Sequence, residues 1–187
     1  MKDEAFIQTI LKKGQEAKEK ARREFSDLTS TQLNWKPSVQ SWSIGQCLDH
    51  LIQSHVTYFP KLKMINQGSF RMNFWERFSP FTAICGRLLI KQVQEQPKRK
   101  LKAPKKIQPS VSEINGGIVN DYQNNLDQFL EYISNCGSID IDKTIILSPI
   151  TSIVTYSLRD AFQFLLQHEH RHLNQATRVK TNAGFPA

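Results

Sequence analysis

The stretch Ser157-Leu158-Arg159-Asp160-Ala161-Phe162-Gln163-Phe164-Leu165-Leu166-Gln167-His168-Glu169-His170-Arg171-His172-Leu173-Asn174-Gln175-Ala176-Thr177-Arg178-Val179-Lys180 decides how this chain reads. Leu158, Ala161, Leu165, Ala176 and Val179 recur with helical period. On a wheel of 100° per residue they share a face with His168 and His172, all within about 80°. The segment is therefore expected to be an amphipathic helix starting near Ser157. Its two histidines sit inside the apolar stripe. Four residues turn a helix by about 400°, so the rings lie one turn apart on one face and can grip a single divalent ion. His170 points to roughly the opposite side, and Arg171 also turns away. Glu169 falls near the edge of the stripe.

Burying two imidazoles is unfavourable unless each finds a partner. A metal ion would satisfy both at once. The alternative is a pair of core histidines hydrogen-bonded to backbone or carboxylates. The run also matches H-E-x-x-H in form. In a zincin the glutamate is the general base and a third ligand follows downstream. Fifteen residues follow His172, and none is His, Asp, Glu or Cys. A third ligand must come from upstream, and the protease-like look of the motif is read as coincidental.

Working outward, three further helices are expected. Residues 3–25 place Phe6, Ile10, Ala17, Ala21 and Phe25 at three- to four-residue spacing, with Gly14 weakening the middle. A polar linker, 26–41, contains Leu28, Leu33, Trp35 and Pro37. A second helix starts near Ser43, where Ser43 and Gln46 make a capping box and Trp42 takes the place of a hydrophobic staple. It reaches about residue 58 or 59, where Pro60 ends or kinks it. A third helix spans about 112–134 on Ile114, Ile118, Tyr122, Leu126, Phe129 and Ile133, blemished by Gly116-Gly117. Residues 61–110 are the least legible, with a short helix in 74–93. Residues 139–156, rich in Ile, Thr and Val, suggest a short strand or hairpin interrupted by Pro149. Four amphipathic helices with long connections predict a helix bundle in a single domain over 1–187.

Composition narrows the class. The chain has 187 residues, 39% hydrophobic and 22% charged, ordinary for a soluble globular domain. No apolar run approaches the ~20 residues of a membrane span. The N-terminus does not resemble a signal peptide, so a cytoplasmic protein with no membrane partner is expected. Three widely spaced cysteines, Cys47, Cys85 and Cys136, form no C-x-x-C pair. Each reads as a small buried apolar side chain in a reducing compartment. The net charge of +8 is uneven, and residues 98–106 carry six cations. That run lies among prolines and has no interleaved aromatics. A solvated loop is favoured over a nucleic-acid contact.

For the upstream ligand the second helix offers His50 and His55. On the wheel His55 lies mid-stripe with Ile44, Leu48 and Leu51, while His50 lies at the margin. Periodicity alone leans to His55.

Three stretches carry a family resemblance: Leu33-Asn34-Trp35-Lys36-Pro37, then Trp42-Ser43-Ile44-Gly45-Gln46-Cys47-Leu48-Asp49-His50-Leu51, then His168-Glu169-His170-Arg171-His172-Leu173-Asn174-Gln175. Their order and spacing resemble the DinB-like (damage-inducible, DinB/YfiT-like) superfamily, with residues 61–110 outside the match. The resemblance implies an all-α, four-helix bundle of up-down-down-up topology with a long connection between helices 2 and 3. It implies a metal site of His50, His168 and His172, overruling the lean to His55, which becomes a core or supporting residue. Zinc or nickel is the expected ion.

The resemblance also implies an enzyme moving a low-molecular-weight thiol of the bacillithiol or mycothiol type onto a small-molecule electrophile, or a related hydrolase. In such chemistry the metal stabilises the thiolate. Arg171 is a candidate for binding an acidic thiol cofactor. Alternatives are a non-catalytic metal-binding stress-response protein and a nucleic-acid-associated protein using 98–106. A bundle with so long a connection could form a homodimer.

Overall fold

The structure, a computed structural model, describes residues 2–93, 104–110 and 113–187. It is mostly helical. Helix α1, Lys2–Phe25, begins with Asp3 and Glu4 and ends with Arg22 and Arg23, each sign suited to its end of the helix dipole. Its apolar stripe is buried at Ile7, Ile10, Ala17, Ala21 and Phe25. Gly14 is more than a weak spot, because a Cβ there would overlap the Leu130 side chain.

The linker holds a short helix that its polar composition concealed. This helix, α2, Ser30–Asn34, is started by a Thr29–Gln32 capping box and buries Leu33. Helix α3, Ile44–Asn66, opens with the expected Ser43–Gln46 box. It does not stop at Pro60 but runs another turn and a half. The carbonyl that Pro60 leaves without a donor is that of Val56, a residue 45% exposed, so water can take the place of the missing N–H.

The long connection after α3 contains α4, Phe74–Phe78, and α5, Thr82–Gln92, followed by a 3-10 turn at Lys105–Ile107. Of the basic run 98–106, residues 98–103 lie outside the described residues. Lys106 donates from Nζ to the Pro149 carbonyl at 2.8 Å. The next long helix, α6, Ile118–Ser134, starts later than the expected 112. Gly116-Gly117 sets the start, and the Asn115 side chain accepts from the Gly117 N–H at 2.7 Å. Ile114 keeps helical spacing and is buried, yet it lies in irregular chain. Asn34 holds it from both sides, donating to its carbonyl at 2.9 Å and accepting from its N–H at 2.7 Å.

The Ile- and Thr-rich segment forms a two-stranded antiparallel hairpin, β1, Ile145–Leu147, with β2, Thr155–Ser157. Pro149 sits in its loop, where no ladder N–H is needed. Among the described residues this hairpin is the departure from an all-α reading. Helix α7, Leu158–Lys180, follows at once, with Ser157 as N-cap accepting from the Asp160 N–H at 3.0 Å.

Each of α1 and α3 packs on both α6 and α7. Lys18 pairs with Asp127 across α1–α6 at 2.5 Å, and Lys20 bonds Asn174 across α1–α7. The core between them gathers Phe25, Leu48, Leu51, Tyr122, Phe129, Phe162 and Leu165. Among the described residues no helix is long and apolar enough to cross a membrane.

Candidate metal centre

Helix α7 delivers His168 and His172 inward as its period requires, and both are buried. The first turns of α3 deliver His50, 2% exposed, to the same point. The ligand-capable atoms of the three rings all lie within 4.8 Å of one another. His50 Nε2 and His168 Nε2 are 3.0 Å apart. Ring centroids are separated by 4.9 Å for His50–His168, 4.6 Å for His50–His172 and 4.5 Å for His168–His172, at mutual angles of 68–76°.

The rings are held from outside. His50 Nδ1 donates to the Ile107 carbonyl at 2.5 Å, which leaves the Nε2 lone pair of the neutral ring facing the cluster. That carbonyl comes from the long connection, which is fastened to α3 by Ser110 N–H to Asp49 (2.7 Å) and by Gln46 to the Ser110 carbonyl (2.9 Å). Trp42, expected as a staple residue, turns its indole onto His172 (centroids 5.5 Å, 24°) and His50 (4.8 Å). Phe164 stacks on His168 at 5.7 Å and 13°.

All three imidazoles are held below the usual histidine value. Burial is the first cause at each. At His168 the next causes are the His172 and His50 rings, and at His172 they are His50 and then Arg171. At His50 the Ile107 carbonyl and Asp49 act in the other direction and only partly offset burial. The rings are therefore neutral near pH 7, the form that binds metal.

This donor set fits a divalent transition ion. Zinc–nitrogen bonds of about 2.0–2.1 Å in tetrahedral geometry put nitrogens about 3.3 Å apart, close to the 3.0 Å of the His50–His168 pair. Three buried imidazoles with converging ring nitrogens are the donor type that zinc and related ions take, and a shared ion would satisfy the nitrogens that face one another. Three histidines could thus hold one ion and leave positions open, the catalytic type of site.

Glu169 and His55 form a separate structure. Helix α7 carries Glu169 away from the cluster into a buried network that the helical wheel did not reveal. The Tyr122 hydroxyl donates to Glu169 Oε1, His55 Nε2 lies 2.9 Å from Glu169 Oε2, and His55 Nδ1 meets Asn125 Oδ1 at 2.9 Å. His55 also stacks on Phe129 at 4.4 Å and 10°. His55, the ligand favoured by periodicity, is therefore not in the three-histidine group. Glu169 is taken up by Tyr122 and His55, so it is not placed as a zincin base. The signal that could have found this network was Tyr122, a hydroxyl on the apolar face of the third helix. His170 is half-buried on the opposite side of α7, near Lys13 and Lys20 of α1.

The three metal-group histidines line a cavity of about 1050 Å³, ample for a small molecule. Lys36, Arg171 and Arg178 also line it, and among the described residues no Asp or Glu does. Arg171, facing away from the histidines on the wheel, reaches the cavity wall and donates to the Gln92 carbonyl at 2.8 Å. Tyr58 and Tyr156 meet hydroxyl to hydroxyl at 2.6 Å in the lining. Cys47 and Cys136 are buried, and burial pushes each thiol up to about 12, so neither is a nucleophile. Cys85 is only half-buried, unlike the expectation for all three.

The model of the DinB superfamily matches residues 15–176, and the chain belongs to that family. The uncharacterized protein YuaE of Bacillus subtilis (strain 168) is 27% identical over 176 residues, covering 88% of this chain and 93% of that protein. No solved structure matches. Family membership and the buried three-histidine group together fit a metal-binding protein.

Proposed function

We propose that the chain is a metal-dependent enzyme in which His50, His168 and His172 hold one zinc or nickel ion, and that it transfers a low-molecular-weight thiol of the bacillithiol or mycothiol type to an electrophile. The observation that carries this reading is the joint placement of three buried imidazoles in the wall of a cavity whose charged lining, among the described residues, is cationic. An ion bound there would supply Lewis acidity that keeps a thiol ionised near neutral pH.

The remaining work falls to side chains. Arg171, Arg178 and Lys36 attract the acidic groups of such a thiol and orient it over the histidines. The Ile107 carbonyl keeps the His50 proton on Nδ1, so Nε2 stays available. Trp42 and Phe164 fix the ring planes and exclude water from their outer faces. Apolar lining from Leu89, Val93 and Val154 suits an electrophile of low polarity.

The scaffold in this reading is a four-helix bundle running up-down-down-up. Its support is the sense of the cross-helix pairs. His50 meets His168 while Tyr58 meets Tyr156, so α3 opposes α7. His55 meets Asn125 while Asn66 donates to the Tyr132 carbonyl, so α3 accompanies α6. Asp3 pairs with Arg159 and Lys20 bonds Asn174, so α1 accompanies α7.

The test is conjugation of bacillithiol to a fluorogenic bimane electrophile by zinc- or nickel-loaded protein. A rate that depends on both metal and thiol, and that falls to background in His168→Ala, is expected. A rate no greater than the uncatalysed reaction with either metal would overturn the transferase reading.

A further inference from the structure

The outer face of the long connection carries a surface that the metal centre does not use. Phe74 (78% exposed), Phe78 (62%), Phe81 (55%), Ile84 (49%), Leu88 (60%) and Ile153 (71%) stand in solvent. They fall into two groups. Phe74 and Phe78 pack ring against ring at 5.0 Å. The Trp75 indole N–H donates to the Ile153 carbonyl at 2.7 Å, which ties the tip of the β1–β2 loop to α4. Phe81, the N-cap residue of α5, and Ile84 and Leu88 within the helix recur at i, i+3 and i+7, on one side of it. Scattered exposed apolar residues need no explanation, but two such groups on consecutive helices, one at α4 with the β1–β2 loop and one along α5, mark a contact surface.

Among the described residues of α4, α5 and the β1–β2 loop, the exposed charge is of one sign. Arg71, Arg77, Arg87 and Lys91 are exposed beside it. Glu76, the sole carboxylate between residues 71 and 92, is buried, held 2.6 Å from Lys61 and bonded by the Leu147 N–H. The β1–β2 loop adds no charge. A two-fold contact between copies of this chain would set these four cations against themselves, which disfavours self-association through this face. An anionic lipid surface complements both features: aromatic and aliphatic side chains enter the boundary between headgroups and acyl chains, and arginine and lysine meet the phosphates.

We propose that this face, formed by α4, α5 and the β1–β2 loop, seats the protein on an anionic bilayer surface. The contact requires no membrane-crossing segment, so it is compatible with the lack of one among the described residues. Helix α5 turns Leu89 and its C-cap residue Val93 inward to line the cavity, so seating its outer side places one cavity wall against the lipid. The proposal stands independently of which metal or thiol the site uses.

The test is co-sedimentation of the full chain with vesicles of phosphatidylcholine alone and of phosphatidylcholine mixed with phosphatidylglycerol. Binding to the mixed vesicles is expected, with little to the neutral ones. The triple variant Phe74→Ser/Phe78→Ser/Leu88→Ser should bind at least about tenfold more weakly, since each change removes buried apolar area from the contact. The variant Arg77→Glu/Arg87→Glu should also bind more weakly and lose most of the salt dependence. All these positions are exposed, so unchanged helical circular dichroism and metal content show that the variants fold. Failure of the wild type to bind mixed vesicles, or binding by the triple variant equal to wild type, would overturn the proposal. Capture of an acidic protein or a second copy through these side chains without vesicle binding would also overturn it.

Discussion

Glu169 Oε2 lies 2.9 Å from His55 Nε2, and both side chains are 1% exposed. The pair joins α7 to α3 one residue away from His168, and Tyr122 ties it to α6. Burying a carboxyl group this deeply is unfavourable unless polar neighbours meet it, and Tyr122 and His55 are those neighbours.

Removing one member of that network should therefore act on stability before it acts on metal. Glu169→Gln is expected to cost about 1–3 kcal/mol in urea unfolding, the range for disturbing a buried hydrogen-bonded polar group. Folded Glu169→Gln should still take up metal, because the three-histidine group does not include its carboxylate. Loss of metal binding with unchanged stability would contradict this assignment.

The metal-free protein should lose stability as pH falls from 7.5 towards 5. His50, His168 and His172 have native values below the unfolded value of 6.5. Above pH 6.5 they are neutral in both states and the full stability is present. Below it the unfolded chain takes up protons that the native site refuses, so stability is lost until the lowered native values are reached. Thermal melts of chelator-treated protein check this, and a variant with glutamine at all three positions should show a flatter profile over the same window.

Thiol reactivity should separate the cysteines. In native protein an aromatic disulfide reagent is expected to label Cys85 rapidly and to leave Cys47 and Cys136 unreacted, since burial keeps both protonated. All three should react in denaturant. Fast native labelling of Cys47 would contradict the packing of the first turn of α3.

Trp42 offers an optical report on the centre. Its ring contacts His50 and His172, so a paramagnetic ion such as nickel should quench its fluorescence on binding. The quench should be largely lost in Trp42→Phe, while Trp75→Phe should retain it. An equal quench in both variants would mean that the ion binds elsewhere.

Much of this arrangement could be read in the sequence where one face of an element is buried. Period placed the stripes of α1, α3 and α7, and the capping box placed the start of α3. His168 and His172 followed from the same period. His50 did not: at the margin of its stripe it looked less inward than His55, and only the resemblance of the surrounding motif selected it. The difference lies in what each side chain meets. His50 is drawn in by the Ile107 carbonyl from a connection far along the chain, and His55 by Asn125 and Glu169 from two other helices. Such partners lie outside any local wheel. Ile114 misled for a similar reason: Asn34 of α2 bonds its backbone and its side chain packs against Gly45 of α3, with no helix of its own.

The central claim is that His50, His168 and His172 jointly hold a divalent ion. Elemental analysis of protein purified without chelators tests it most directly, beside His50→Ala carried through the same steps. The account predicts about one equivalent of zinc or nickel per chain in the wild type, as a three-ligand catalytic site holds, and little in a folded His50→Ala. Absence of any divalent transition metal from the wild type, or equal retention by the variant, would contradict it.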